Sequence, residues 1–377
     1  MKIVIAPDKF KGSLTGLEFC DVVASGIEEI LPACKIIKIP MADGGDGTMD
    51  ALESQIPHSR HVVNVKDPLF RNVEAYYLYD KTSKTAFVEM SAASGMRLLQ
   101  PEEQNCYETT SYGTGELIAD ALDQGAKKII LGIGGSATND AGMGMAEALG
   151  YVFKDKAGNL VEPIGKNLSL VDTIDISGVH PKLGEAEVKV ACDVTNPLFG
   201  ERGAAFVYGP QKGASPEQVI ELDQGLRNFS KVLTRTFGVA FEEVYGAGAA
   251  GGMGAGSMAF LQARLESGIE LVQEILHFDQ KITGAEWIIT GEGKFDYQTL
   301  AGKTVNGVIE SAKAQNIQVA VFCGEISLPA DAMAAMDIHY AASIMEQAKN
   351  LQDAMENSGA YLREIALEFA LKLERMG

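Results

Sequence analysis

The stretch 287-WIITGEGKFDYQTLAGKTV-305 sets a short apolar run against a polar loop that ends in Gly302-Lys303-Thr304. A phosphate-binding P-loop requires G-x-x-x-x-G-K-[ST], which puts its first glycine at position 297, and this chain has Tyr297 there. That glycine supplies a backbone conformation that a tyrosine adopts only with strain. A P-loop also leaves its strand at once, whereas eleven residues separate Thr290 from Gly302. The P-loop fold is excluded. What stays is a long loop carrying Gly, Lys, Thr and Asp directly after a buried strand.

The same grammar of apolar run, polar loop and helix extends outward from this stretch. Near the start, 3-IVIA-6 leads to a helix from about Thr15, where Thr15 and Glu18 have capping-box spacing, and 35-KIIKIP-40 follows Pro32. Beyond 286-EWIIT-290 come a helix over roughly 304–315, then 317-IQVAVFCG-324, another helix and 338-IHYAASI-344. Strands alternating with helices predict right-handed βαβ units and a parallel sheet. The middle differs. In 73-VEAYYLYDKTSKTAFVEM-90 two strand-like runs flank a polar turn, which predicts an antiparallel hairpin, and 187-EVKVACD-193 is a further strand. The expected fold is α/β with two domains. A parallel-sheet, Rossmann-like domain is formed by both chain ends (1–62 plus 283–377), and a mixed α/β domain (63–282) is inserted in it.

Composition bounds the function. With 377 residues, 46% of them hydrophobic, the chain has ample core for two domains, and its longest apolar runs are too short to cross a bilayer. The opening MKIVIAPDKFKGS lacks a signal-peptide pattern and reads as a first strand. Five cysteines without a C-x-x-C pair suit a reducing cytoplasm, and five histidines without an H-x-x-x-H pair argue against zinc. The net charge of −19 and the lack of a basic, aromatic-laced cluster exclude nucleic acid as a partner. An anionic substrate would need local cations.

Acids follow the apolar runs with regularity: Asp8 after IVIAP, Asp43 after IKIPMA, Asp193 after VKVAC, Glu292 after WIITG and Glu325 after VAVFCG. Residues just past parallel strands lie at the carboxyl edge of the sheet, where open α/β proteins bind ligands. Converging carboxylates repel one another unless a cation sits between them, and Mg²⁺ prefers oxygen donors. Any one of these acids could simply cap the next helix; the set points to a site. The loop 41-MADGGDGTMDAL-52 places Asp43 and Asp46 around glycines, with a helix opening at Thr48. In 132-GIGGSATNDAGMGM-145 glycines follow a strand, Ser136 or Thr138 is placed to cap the next helix, and Asn139 and Asp140 could hold a metal or a hydroxyl. Gly246, Gly248 and Gly251 make a formal G-x-G-x-x-G, which supports the rival reading of a dinucleotide-dependent oxidoreductase; a tightly packed helix start explains it as well. Lys9, Lys11, Lys294 and Lys303 supply positive charge near strand ends.

As a group these segments resemble the bacterial glycerate kinase family, in its first, non-P-loop structural type. The matching segments are IAPDKFKGSL (5–14), ADGGDGT (42–48), VEMSAASGM (88–96), TTSYGTGELI (109–118), GIGGSATNDAGMG (132–144), ACDVTNPLFG (191–200), GAGAAGG (246–252) and TGEGKFDYQTLAGKTV (290–305). One departure is Lys9, where many relatives carry serine. The resemblance implies a two-domain enzyme that phosphorylates D-glycerate with ATP and Mg²⁺ in the cleft between its domains. The product is 2-phosphoglycerate, or in some members 3-phosphoglycerate. On this basis Gly134, Gly135, Ser136 and Thr138, with Gly248, Gly251, Gly252 and Lys303, are expected to bind the nucleotide. Asp43, Asp46 and Asp193 are expected to hold Mg²⁺ or act on the glycerate hydroxyl, with Lys9 beside them. Asp8, Ser13, Arg71, Ser91, Ser94, Glu292 and Asp296 are expected to bind substrate. The protein is expected to be a monomer or homodimer with no membrane partner. An NAD(P)-dependent oxidoreductase of a small hydroxy acid, and a non-catalytic binding protein, are the alternatives.

Overall fold

The computed structural model describes residues 1–10, 12–45, 47–241, 244–297, 299 and 304–376. Lys11, Asp46 and Lys303, singled out above, lie outside the described residues, as does Gly302. The chain divides into two compact units, one of residues 1–43, 50–55 and 269–377, the other of 44–49 and 56–268. Among the described residues no helix is long and apolar enough to cross a membrane.

The first unit is built on a five-stranded sheet in the order Ile338–Ser343, Gln318–Cys323, Trp287–Thr290, Lys2–Ile5, Lys35–Lys38, with every neighbouring pair parallel. Its centre reads as continuous β-branched and apolar runs because both faces are covered. Ile3, Val4 and Ile5 stand opposite Trp287, Ile288 and Ile289, and nearly all six are fully buried. The helix Gly16–Ile30 starts as its sequence predicts. Glu18 N–H donates to Thr15 Oγ1 (3.2 Å) while Thr15 N–H donates to the Glu18 carboxylate (2.8 Å), which satisfies two donors that would otherwise lack partners. The helix buries Phe19, Cys20, Val23 and Ile27 in a core shared with Leu362, Ile365, Ala366 and Phe369 of the helix Ser358–Met376. Phe369 meets the rings of Trp287 and Phe322 edge-on, at 5.0 and 5.5 Å between centroids.

The second unit carries a six-stranded sheet in the order Arg264–Glu266, Glu187–Ala191, Lys128–Gly132, Thr85–Glu89, Asn72–Asp80, Ser59–Lys66. The strands from Arg264–Glu266 to Thr85–Glu89 run parallel, and the last two turn antiparallel. The expected hairpin is the pair Asn72–Asp80 and Thr85–Glu89. Ser59–Lys66 was not anticipated; it spans position 62, pairs along its whole length with Asn72–Asp80 and lies entirely in this unit. The long helix Pro216–Phe237 has Ser215 and Gln218 as its capping box, Pro216 at its first position and Gly238 in the left-handed conformation at its end. Its Phe229 packs with Phe153 and Phe260, and Tyr151 meets Phe260 edge-on in the same aromatic cluster.

Candidate active site

In the first unit the chain runs from Lys2–Ile5 outward to Lys35–Lys38, and on the other side from Trp287–Thr290 to Ile338–Ser343. Strand order therefore reverses between Lys2–Ile5 and Trp287–Thr290, the position at which open parallel sheets present a ligand crevice. Asp8 and Glu292 both stand there, tied by Asp8 N–H donating to Gly291 O at 2.9 Å. The Asp8 carboxylate accepts from Lys9 N–H (2.7 Å) and from Thr304 Oγ1 (2.8 Å), the residue that opens the helix Thr304–Ala314. Burial first, and then the negative charge of Asp43, push its pKa up to about 6, against the opposing pull of those hydrogen bonds and of Lys9. Glu292 accepts from Thr299 Oγ1 at 2.6 Å, and Thr299 Oγ1 in turn accepts from Asp296 N–H at 3.2 Å. The short parallel pair Lys294–Phe295 and Glu325–Ile326 pins this loop, with Lys294 paired to Glu325 at 3.3 Å. Ser13 Oγ donates to Phe10 O at 3.5 Å, and Lys9 is exposed.

The raised carboxyl has a stability consequence. Asp8 ionises near pH 6 in the folded chain and near 3.8 in the unfolded one, so between those values the folded form binds more protons and stability falls as pH rises. Asp8→Asn removes that penalty. It should stabilise the metal-free protein by about 1–2 kcal/mol at pH 7.5 and by little at pH 4. Urea unfolding with a chelator at the two pH values checks this; an equal effect at both would refute it.

In the second unit the carboxyl edge is met by Gly44 and Met49, which lie in the stretch 41-MADGGDGTMDAL-52. Gly44 has φ +78°, and a Cβ there would lie 2.2 Å from Ala191 Cβ, so only glycine passes this strand end. A Cβ on Gly132 would likewise sit 2.8 Å from Gly44 O. Met49 N–H donates to Glu89 Oε1 at 2.6 Å, and Gly268 N–H donates to Asp193 Oδ1 at 2.8 Å. Asp193 and Glu89 thus share this edge with the glycine loop. Sequence reasoning missed Glu89, which closes its strand and is 4% exposed; within VEM it reads as an ordinary strand residue. Ser91 Oγ donates to Glu89 Oε2 at 3.4 Å, and Ser94 is fully buried with its hydroxyl 2.8 Å from Thr114 Oγ1. The Arg71 guanidinium is already held by Asp67 (2.6 Å) and Glu103 (2.7 Å).

The turn after Lys128–Gly132 departs from expectation. The next helix is Met143–Ala148 with Gly142 at its cap, so neither Ser136 nor Thr138 caps it; a further stretch of turn intervenes. Asp140 is fully buried and accepts from Ser111 N–H and Oγ, Gly142 N–H and Gly144 N–H, which makes it the knot of the turn rather than a ligand for a metal. Burial still pushes its pKa up. Gly134 is half-buried and Gly135 exposed at the tip. Beneath them Thr138 Oγ1 and both side-chain heteroatoms of Asn139 are buried with no hydrogen-bond partner. The glycine run lies against this turn: Ala250, Gly251 and Gly252 all have positive φ, Gly251 O accepts from Ala141 N–H (3.0 Å), and a Cβ on Gly251 would lie 2.0 Å from Thr138 O. Gly248 N–H donates to Asn196 O at 3.0 Å. The formal G-x-G-x-x-G has no strand before it, since the described residues between Ala191 and Arg264 contain none, and the dinucleotide fingerprint loses its required context.

Each edge, taken by itself, carries carboxylate oxygens, the donor type a hard cation prefers. Among the described residues no three His, Cys, Asp or Glu side chains form a metal-sized group. Mg²⁺ commonly needs only one or two carboxylates besides phosphate oxygens, and Asp43, whose charge acts on Asp8, would be one of them.

The model of the glycerate kinase family matches residues 3–373. The chain is 42% identical over 372 residues to a glycerate kinase of Halalkalibacterium halodurans, covering 98% of this chain and 97% of that one. It is 42% identical over 383 residues to the glycerate 2-kinase of Escherichia coli K12, covering 100% of both. It also matches the crystal structure of a Salmonella typhimurium LT2 protein assigned to glycerate kinase 2, with a TM-score of 0.88, 41% identity and coverage of 100% and 98%.

Proposed function

The chain belongs to the glycerate kinase family, and on that premise we propose that it transfers the γ-phosphoryl group of ATP to D-glycerate with the help of Mg²⁺. The favoured product is 2-phosphoglycerate, with 3-phosphoglycerate the other outcome. The observation that carries this reading is the buried Asp8 carboxylate at the switch point, held out of its ordinary range by desolvation and by Asp43. Two carboxylates so placed favour a cation that a phosphate can share.

In this proposal a glycerate hydroxyl oxygen attacks the γ-phosphorus, the bond from phosphorus to the β–γ bridging oxygen breaks, and ADP leaves. The hydroxyl proton passes to one of the carboxylates Asp43, Asp46 and Asp193. When bound, Mg²⁺ neutralises charge on the β- and γ-phosphates. The protein's task is positioning and charge compensation. The Gly134–Gly135 tip, with Ser136 and Thr138, offers backbone and hydroxyl groups to the phosphates, and Gly248, Gly251 and Gly252 hold that turn in shape. Lys303 and Lys9 add positive charge. Within the first unit, Asp43 is assigned to the cation, and Asp8, Ser13, Glu292 and Asp296 are assigned to the glycerate.

³¹P NMR of the protein with ATP, Mg²⁺ and D-glycerate is expected to show a new phosphomonoester signal, coupled to one CH for the 2-phosphate or to a CH₂ for the 3-phosphate. ATP left intact by folded protein would overturn the assignment.

A further inference from the structure

Lys212 ends the turn Pro210–Lys212, far from the motifs that mark the site in the sequence, yet its side chain reaches the GGSATND turn. It is only 5% exposed. Its Nζ donates to Ser136 Oγ at 2.7 Å and to Thr138 O at 2.8 Å, and no carboxylate pairs with it among the described residues. Both acceptors are neutral. The titratable groups that face it are Asp140, whose oxygens are engaged by Ser111, Gly142 and Gly144, and the Cys106 thiol, whose own backbone N–H donates to Lys212 O. An ammonium buried without a paired counter-ion costs several kcal/mol, so a residue chosen only for packing would be apolar here. The accessible face of the turn it supports is the Gly134–Gly135 tip, and beside it the Thr138 hydroxyl and the Asn139 amide are buried without partners.

We propose that Lys212 is a positioning residue for the reaction: from behind the Gly134–Thr138 turn its buried ammonium fixes Ser136 and supplies the countercharge for the phosphate bound on the other side. This rests on the assignment of that turn to the nucleotide. It goes beyond that assignment by naming the cation that makes the turn an anion site. Without ligand, burial holds the Lys212 pKa down to about 8. A bound phosphate favours the ammonium, so nucleotide binding takes up a proton in the pH range where the free protein has partly lost it. ATP itself is fully ionised above pH 8, since a phosphate's last proton leaves near pH 6, and the uptake then belongs to the protein.

The test is calorimetric titration of the full-length protein with ATP at pH 7.5, 8 and 9.5, in two buffers of different ionisation heat. Wild type is expected to take up about half a proton at pH 8 and to bind ATP about tenfold more weakly at pH 9.5 than at 7.5. Lys212→Met, which keeps the bulk and removes the charge, should bind about tenfold more weakly at pH 7.5, with no proton uptake and no pH dependence. Its KM for ATP should rise by that factor while kcat at saturating ATP changes far less, and Lys212→Arg should recover part of the loss. A Met variant with wild-type affinity and uptake would overturn the proposal. So would wild type that binds ATP with pH-independent affinity, a result that needs no variant to fold and leaves the kinase reading standing. Failure of wild type to bind ATP at all would remove the kinase reading and this proposal together.

Discussion

Asp43→Asn is expected to lower kcat about a thousandfold while the protein stays folded. Asp43 follows the buried segment Ile39–Ala42, at the carboxyl edge of the first sheet, and its charge already acts on Asp8. The amide keeps the shape and removes the anion that the proposed cation requires. Two measurements separate this from a packing defect. The Mg²⁺ concentration needed for half-maximal rate should rise, and the Asp8 carboxyl, followed by NMR in metal-free protein, should titrate below about 6, because one of the causes that raises it is gone. A variant within threefold of wild-type kcat would remove Asp43 from the machinery. The Asp8 titration would still report on the geometry, whichever substrate the enzyme takes.

The second large effect is on the fold of the anion turn. Gly251→Ala places a methyl group where Thr138 O lies 2.0 Å away, at a residue with φ +74°. Backbone strain and overpacking together should cost about 3–5 kcal/mol. Gly284→Ala is the matched control: it has nearly the same φ, +73°, and nothing lies within 4 Å of the added carbon. That variant should lose only about 1 kcal/mol, the conformational part. Chemical denaturation of both proteins checks the difference. If the two lose equal stability, the close approach of the glycine run to Thr138 is not what demands glycine there.

Much of this architecture was legible because the physics that builds it is local. Buried parallel strands read as unbroken apolar runs, so 3-IVIA-6, 287-WIIT-290 and 319-VAVFC-323 announced themselves, and Thr15 with Glu18 announced the first helix. The Ser59–Lys66 strand did not, since its exposed face makes S-R-H-V-V-N-V-K look like loop until Asn72–Asp80 is laid beside it. The site divides in the same way. Acids past strand ends were visible as a pattern. What each one touches was not: Glu89 gains its meaning from a backbone N–H forty residues earlier in the chain, and Lys212 from oxygens 74 and 76 residues away. The expectation that Ser136 or Thr138 caps a helix was a local inference: a tertiary partner, Lys212, holds the Ser136 hydroxyl, and the helix opens only at Met143.

The pairing of Ile3 with Trp287 also sets an order of events at the ribosome. The central partner of Lys2–Ile5 lies 284 residues downstream, so at a typical synthesis rate of roughly 5–20 residues per second the first strand waits about 15–60 s for it. Every strand of the second unit has been made by Glu266, before any of Trp287–Thr290 exists. The inserted unit can therefore mature while the host sheet is still an open edge of Ile, Val and Ile, held in reserve until the far end of the chain arrives.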